Sequence, residues 1–233
     1  MKLLKIPKLI LGLSLLTATS YSASIVVSFD SGFDTLRVLA NSAGVPLNGG
    51  SPNVDHDGAV IQLGYFNAAT LADPFAGVFI PLTGQGAANS TFSNTTIGDD
   101  TANGTGTVRN GQGIFGISIE FTTANTTNFL GFPAPGTPLA VRFYNNLSIA
   151  ASTEFETVSS GTNVGWRWKD PNAIPAPTGI NLSFDDPSLR LQRKNTAITP
   201  ADTDLRTAAV PEPSSVLLAL TGCMGLLARR RKR

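Results

Sequence analysis

Short apolar runs separated by polar, glycine-rich segments make up the sequence from residue 24 to residue 186. Val, Ile and Phe dominate the runs, whereas Gly, Thr, Asn, Ser and Pro dominate the segments between them. β-branched and aromatic residues favour strands, and glycine and proline interrupt helices. Several runs also alternate: Ile117, Ile119 and Phe121 fall on one side of a strand, with Ser118 and Glu120 on the other. The pattern predicts roughly eight to ten short strands.

These strands, without any helical period, predict an all-β fold built as a single antiparallel β-sandwich or jelly-roll-like domain over residues 24–186. About 165 residues are enough for one hydrophobic core and do not require two domains. The single helix candidate in this region covers residues 68–73 and is stopped by Pro74. The predicted strands are residues 25–29, 35–39, 59–66, 77–82, 114–121, 139–144, 154–158 and 163–168.

Two segments lack this alternation. Residues 87–110 are polar and rich in glycine and threonine, which predicts a long loop or an edge hairpin. Residues 187–209 lose the pattern of the preceding strands and are interpreted as a flexible linker.

The N-terminus, residues 1–22, has the order of a secretory signal peptide. Three lysines precede an apolar run at residues 9–17, and small residues follow. Cleavage by signal peptidase after Ser22 would place Ser20 and Ser22 at the two small-residue positions. An uncleaved anchor and a core helix are the alternatives. The signal predicts export and a helix over its apolar part.

The C-terminus, residues 210–233, combines a proline hinge, an apolar segment and a basic end. Pro211 and Pro213 prevent a helix from running through this point, and Glu212 lies between them. The apolar segment is about 15 residues, or roughly 22 Å as a helix, against a hydrocarbon core of roughly 30 Å. A plain tail anchor and a buried core helix are the alternatives to a transient membrane helix. Five cations that should stay cytoplasmic close the chain: Arg229, Arg230, Arg231, Lys232 and Arg233.

This order, Pro211-Glu212-Pro213 followed by the apolar run and the basic residues, resembles the PEP-CTERM sorting signal of Gram-negative bacteria. The resemblance covers about a tenth of the chain and does not extend to the domain before it. It implies processing near the proline hinge by a membrane-embedded exosortase. It also implies transient residence in the inner membrane, followed by release to the outer surface or the extracellular matrix, with exopolysaccharide as a partner there.

Charge and cysteine content separate the body from its two ends. Between Leu9 and Val210 lie nine basic and 15 acidic residues, so this part carries a formal charge of −6. Such a charge argues against nucleic acid or an anionic membrane surface as a partner of the mature domain. The single cysteine, Cys223, lies in the apolar tail, which leaves the body without disulfides.

The candidate chemistry of the body is sparse. Asp55, His56 and Asp57 could offer ligands to a cation, but a turn ending at Gly58 explains the same residues, and no metal or other cofactor is predicted. His56 is the only histidine, and no nucleophile elbow accompanies it.

Three acids lie on or near predicted strands, namely Glu120, Glu154 and Glu156. Paired carboxylates could support glycoside hydrolysis. Solvent-facing strand positions explain them equally well, and the protein is predicted not to be an enzyme.

Trp166 and Trp168 would lie on one face of the strand predicted over residues 163–168. Aromatic faces of this kind can stack on sugar rings, but core packing is the more common use of such large apolar side chains. The sequence therefore predicts a non-enzymatic surface or matrix protein. The alternatives are an exopolysaccharide-binding module that uses the two tryptophans and a secreted carboxylate-dependent hydrolase.

Overall fold

The structure is a computed structural model that describes residues 24–32, 37–49, 57–84, 113–122, 132–193, 196–197 and 204–210. Within these residues the chain forms strands and one turn of 3-10 helix, Val164–Trp166. The strands are β1 Ser24–Asp30, β2 Val38–Ala40, β3 Ile61–Phe66, β4 Phe79–Pro81, β5 Gly116–Thr122, β6 Leu139–Tyr144, β7 Glu154–Ser159, β8 Ile180–Ser183, β9 Arg190–Leu191, β10 Thr196–Ala197, β11 Asp204–Arg206 and β12 Ala208–Ala209.

Strand β1 is the centre of a three-stranded sheet with the order β5-β1-β8. It pairs antiparallel with β5 from Ser24 opposite Thr122 to Asp30 opposite Gly116. It pairs parallel with β8 on its other side. Side chains alternate along β1 as the sequence predicts: Val27 is fully buried, whereas Val26 is 43% exposed.

A second sheet has seven strands, in the order β10-β9-β7-β6-β3-β4 with β12 added to β7. Its central strands β3, β6 and β7 pair antiparallel with one another. Gly64 on β3 leaves room for the ring of Phe79, because a Cβ at Gly64 would lie only 2.5 Å from that ring. The guanidinium of Arg142 on β6 covers the same ring, 3.9 Å from its centroid.

One hydrophobic core receives side chains from both sheets. From the three-stranded sheet come Phe29 and Phe121, and from the seven-stranded sheet come Leu63 and Phe143. All four side chains are fully buried. Among the described residues, the two sheets thus contribute to one core cluster.

The all-β prediction is confirmed, since the described residues contain almost no helix. The expectation of purely antiparallel pairing is wrong, because β1 with β8 and β2 with β11 are parallel pairs. Both helices predicted outside the domain, in residues 1–22 and 210–233, fall outside the described residues except for Val210. No helix among the residues with described structure is long and apolar enough to cross a membrane.

The strand predicted over residues 163–168 is wrong. The Asn163 side chain accepts a hydrogen bond from the Gly165 N–H at 2.6 Å, and this cap starts the 3-10 turn instead. Beyond the turn the chain becomes extended, and the Trp168 N–H donates to the Thr137 carbonyl at 2.9 Å. The alternation of Trp166 and Trp168 in the sequence therefore corresponds to a capped 3-10 turn followed by an isolated β-bridge, and not to a strand.

The short helix predicted over residues 68–73 is also wrong. The Thr70 N–H donates to the Asp73 carbonyl, and the Asp73 N–H donates to the Thr70 hydroxyl, which forms a closed turn. Asp73 also accepts from the Phe75 N–H. Local side-chain hydrogen bonds of this kind compete with helix formation, and Pro74 prevents its continuation.

The flexible linker predicted over residues 187–209 is wrong for the part of it that is described. Strand β9 pairs with β7, β11 pairs with β2, and β12 pairs with β7. Leu205 is 1% exposed and belongs to the core. The folded body therefore reaches residue 210 rather than residue 186.

Candidate functional site

The last described stretch of the chain, which ends at Val210 and is called the exit point here, is a hydrogen-bonded strand end. Ala208 and Ala209 pair with Phe155 and Glu154, and the Val210 N–H donates to the Thr153 carbonyl at 2.8 Å. The next residue is Pro211, where the predicted processing hinge begins. In the sequence the hinge therefore directly follows Val210, the last described residue, whose N–H is hydrogen-bonded to the body.

Glu154 holds this exit point together. One carboxylate oxygen accepts from the Ser42 N–H at 2.8 Å and from the Thr207 hydroxyl at 2.6 Å. The other accepts from the Ser42 hydroxyl at 2.6 Å. A single side chain on β7 thus binds the turn after β2 and the residue between β11 and β12.

The pKa of Glu154 is lowered from its ordinary value of 4.5. Partial burial alone would raise the pKa, but the hydrogen bonds from Ser42 and Thr207 favour the charged carboxylate and outweigh that effect. Glu154 is therefore an ionised structural anchor at neutral pH.

A separate concave surface lies on the three-stranded sheet. Ser28 on β1 faces Ser118 on β5, with their hydroxyl oxygens 2.6 Å apart, and Asn181 on β8 is the next residue in the same row. These residues line a cleft of about 400 Å³ that also includes Asp30. The Asp30 carboxylate is committed, since it accepts from the Gly32 N–H and the Ser183 hydroxyl. The remaining polar groups suit a ligand that offers hydroxyl groups.

The structure corrects the interpretation of Trp166 and Trp168 as glycan contacts. Their exposed fractions are 1% and 2%. Trp168 stacks on Phe132 at 4.9 Å between ring centroids and meets Phe121 edge-on at 5.7 Å. Trp166 stacks on Phe184. Indole faces that are covered by other rings cannot stack on a sugar, so both tryptophans are core residues.

The three acids considered for hydrolysis have unlike surroundings. Glu154 is occupied as described above, and Glu156 is fully buried, with one oxygen accepting from the Thr157 and Arg193 N–H groups. Glu120 is exposed on β5, on the other sheet. Both acids of β7 thus accept hydrogen bonds within the fold, Glu154 from one backbone N–H and two hydroxyls and Glu156 from two backbone N–H groups.

The possible cation ligands Asp55 and His56 lie outside the described residues, and Asp57 is within them. Among the described residues, no group of three His, Cys, Asp or Glu side chains is arranged to hold a metal ion. The sorting residues Pro211, Glu212 and Pro213, together with the five terminal cations 229–233, likewise lie outside the described part of the chain.

In the sequence, a proline hinge, an apolar segment and a basic terminus follow the all-β body directly. Residues 209–232 match the family model of the PEP-CTERM protein-sorting motif. The resemblance seen in the sequence is thereby confirmed, and it implies an exported protein that an exosortase processes. No curated protein and no solved structure matches the chain.

The functional role of Glu154 and of strands β11 and β12 did not follow from the sequence. Residues 204–209 contain one large apolar residue, Leu205, and this single residue is too weak a signal for a strand. The pairing of Glu154 with Ser42 joins residues 112 positions apart, and local pattern carries no information about it.

Proposed function

We propose that this protein is an exported, non-enzymatic component of the cell surface or extracellular matrix, released to its destination when an exosortase processes its C-terminal signal. The observation that carries the proposal is the match of residues 209–232 to the sorting motif, which begins at Ala209, the last residue paired in β12. The signal peptide predicted in residues 1–22 supplies the export step, with signal peptidase as the enzyme that removes it.

The proposed body is one β-sandwich whose two layers are the three-stranded and the seven-stranded sheet. Support comes from the shared core, to which inward side chains of both sheets contribute. The body has no cysteine and so does not depend on disulfides, and every described strand lies before Pro211. It is therefore suited to persist outside the cell after processing.

The structural uses of the acids on β7 support a non-enzymatic role. The carboxylate of Glu154 binds Ser42 and Thr207, and that of Glu156 binds backbone N–H groups. A retaining or inverting glycosidase needs two carboxyl groups facing a substrate across about 5 to 10 Å. Carboxylates that accept hydrogen bonds from neighbouring segments of the fold do not face a substrate, so Glu154 and Glu156 do not suit glycoside hydrolysis.

Exopolysaccharide binding is the second candidate function. Since both tryptophans are buried, the proposed binding surface is the cleft on the three-stranded sheet. Ser28, Ser118 and Asn181 present hydroxyl and amide groups in one row across three strands. We expect Asn181→Leu to abolish retention of the mature domain on purified exopolysaccharide if this cleft binds it. Equal retention of the variant and the wild-type domain would exclude the cleft as the binding surface.

The sorting proposal is tested by replacing Pro211, Glu212 and Pro213 with alanine in cells that contain an active exosortase. We expect the wild-type protein to lose its basic terminus and to reach the outside of the cell. The triple variant should retain Arg233 and stay with the membrane fraction. Intact mass and cell fractionation measure both outcomes.

Pro135→Ala is the matched control, because Pro135 is an exposed proline of the folded body. It should be processed like the wild type. A wild-type protein that still ends at Arg233 when the exosortase is active would overturn the proposal.

A further inference from the structure

The hydrogen bond at Val210 limits how far the body can be from the membrane. The apolar segment of the sorting signal begins at Val216, six positions after Val210. Six residues span at most about 20 Å when fully extended. The Val210 N–H is fixed to the Thr153 carbonyl, so the chain cannot gain length by pulling residues out of a loose linker without breaking β12 from β7. While the signal is in the membrane, the exit point must therefore lie within about 20 Å of the start of the apolar segment.

Two loops meet the chain at this exit point. The turn after β2 is closed by the Asn41 N–H, which donates to the Val45 carbonyl, and Ser42 ties it to Glu154. The loop between β6 and β7 is tied by Asn145, whose side chain accepts from the Thr153 and Glu154 N–H groups. The two loops and the departing chain therefore surround the start of β7.

Each of these three segments carries an exposed apolar side chain. Val45 is 56% exposed, Leu147 is 51% exposed and Val210 is 36% exposed. We name these three residues the exit face. Isolated exposed apolar residues are ordinary on protein surfaces. Here their position matters, because all three lie on segments that meet where the tether begins.

We propose that the exit face of Val45, Leu147 and Val210 rests on the outer surface of the inner membrane until the exosortase cuts the chain. This inference rests on the proposed function, since it requires the tail to be inserted. The partner surface is the lipid interface, which accepts apolar side chains at headgroup depth. The net charge of −6 on the body gives no attraction to anionic lipids, so contact depends on the tether and ends when the tail is removed.

The opposite end of β7 provides the internal control. Val164 is 69% exposed and follows the Ser159 end of β7 through Asn163, whose N–H donates to the Ser160 hydroxyl. The six residues of β7 separate the two ends by roughly 17 Å. Val164 is therefore apolar and more exposed than any exit-face residue, but it lies at the end of β7 away from the tether.

The test uses the protein without its signal peptide, inserted into phosphatidylethanolamine and phosphatidylglycerol vesicles that contain a nitroxide-labelled lipid. An environment-sensitive fluorophore on the natural Cys223 reports whether the tail is inserted. Leu147→Cys and Val164→Cys, each combined with Cys223→Ser, report the two ends of β7. Emission from the two buried tryptophans checks that each variant is folded.

We expect strong quenching at Cys223, severalfold stronger quenching at Leu147→Cys than at Val164→Cys, and loss of the Leu147→Cys signal when the chain is cut after Val210. Quenching at Cys223 with equal, weak quenching at both body positions would overturn the inference and leave the sorting proposal standing. Absence of quenching at Cys223 would instead contradict tail insertion, on which both depend. If the fluorophore on Leu147→Cys were shielded from solvent only when exosortase is added, the exit face would contact the enzyme rather than lipid, which would also overturn the inference.

Discussion

Residues 24–210 and residues 211–233 differ in what makes each of them recognisable. The tail is recognised from the order of its residues, and that order matches a sorting motif. The body matches no curated protein or solved structure, yet its core and strand pairing are well defined. A short linear signal is recognisable from neighbouring residues, whereas a β domain is defined by contacts between residues far apart in the sequence.

The boundary between these regions is sharper than the sequence indicates. Pairing of β11 and β12 extends the body to the residue before Pro211. The comparison therefore predicts that changes on one side of Val210 affect folding and that changes on the other side affect sorting.

The largest expected effect comes from moving the end of the chain across this boundary. A protein that ends at residue 203 loses the buried Leu205, a loss of about 2–5 kcal/mol for such a side chain. It also loses the hydrogen bonds of β11 and β12, at about 0.5–1.5 kcal/mol each. Since whole domains are stable by about 5–15 kcal/mol, we expect most or all of the folded state to be lost. Urea unfolding measures the change.

A protein that ends at Val210 is the matched control for this truncation. It keeps every described strand and should unfold at the same urea concentration as the protein with its tail. If the chains ending at residues 203 and 210 were equally stable, residues 204–210 would be a linker after all, and the folded body would end before residue 204.

The next largest effect is expected for Trp168→Ala. This substitution removes an indole that is 2% exposed and packs against Phe121 and Phe132. A loss of about 3–5 kcal/mol in the free energy of unfolding follows from truncating such a side chain. Trp168→Phe should lose less, because the ring contacts are partly retained. A loss below about 1 kcal/mol for Trp168→Ala would show that the indole is not a core residue.

A smaller effect is expected for Glu154→Gln at the exit point. The carboxylate of Glu154 accepts three hydrogen bonds from Ser42 and Thr207, and the uncharged amide of glutamine cannot accept all three. We therefore expect the free energy of unfolding to fall by about 1 kcal/mol near neutral pH. The pKa of Glu154 is lowered in the folded state, so its contribution is present above the ordinary value of 4.5 and is lost as the pH falls through the lower folded pKa. The stability difference between wild type and variant should therefore shrink at low pH.

Chemical unfolding at neutral pH and at about pH 3 measures this difference. Glu120→Gln is the control, since Glu120 is exposed on the other sheet. A difference between wild type and Glu154→Gln that grows as the pH falls would contradict the assigned role of the carboxylate.

Strands with clear alternation were predictable, and those defined by distant partners were not. β6 was predicted with the bounds it has in the structure, and β1 and β5 were predicted within two residues, because apolar side chains at every second position require a buried face. The segment with the two tryptophans was misassigned because period two also arises from a capped turn followed by an extended bridge. Strands of two or three residues, such as β11 and β12, are stabilised by their partners more than by their own composition.

The sequence by itself determined the all-β class, the single core and the sorting signal, because each depends on residue type and local order. Only the tertiary structure decided where the body ends, what Glu154 binds and that both tryptophans are buried. These properties depend on contacts between segments far apart in the chain, such as Ser42 with Glu154 and Val38 with Asp204. Such contacts form only when distant segments are brought together around one core.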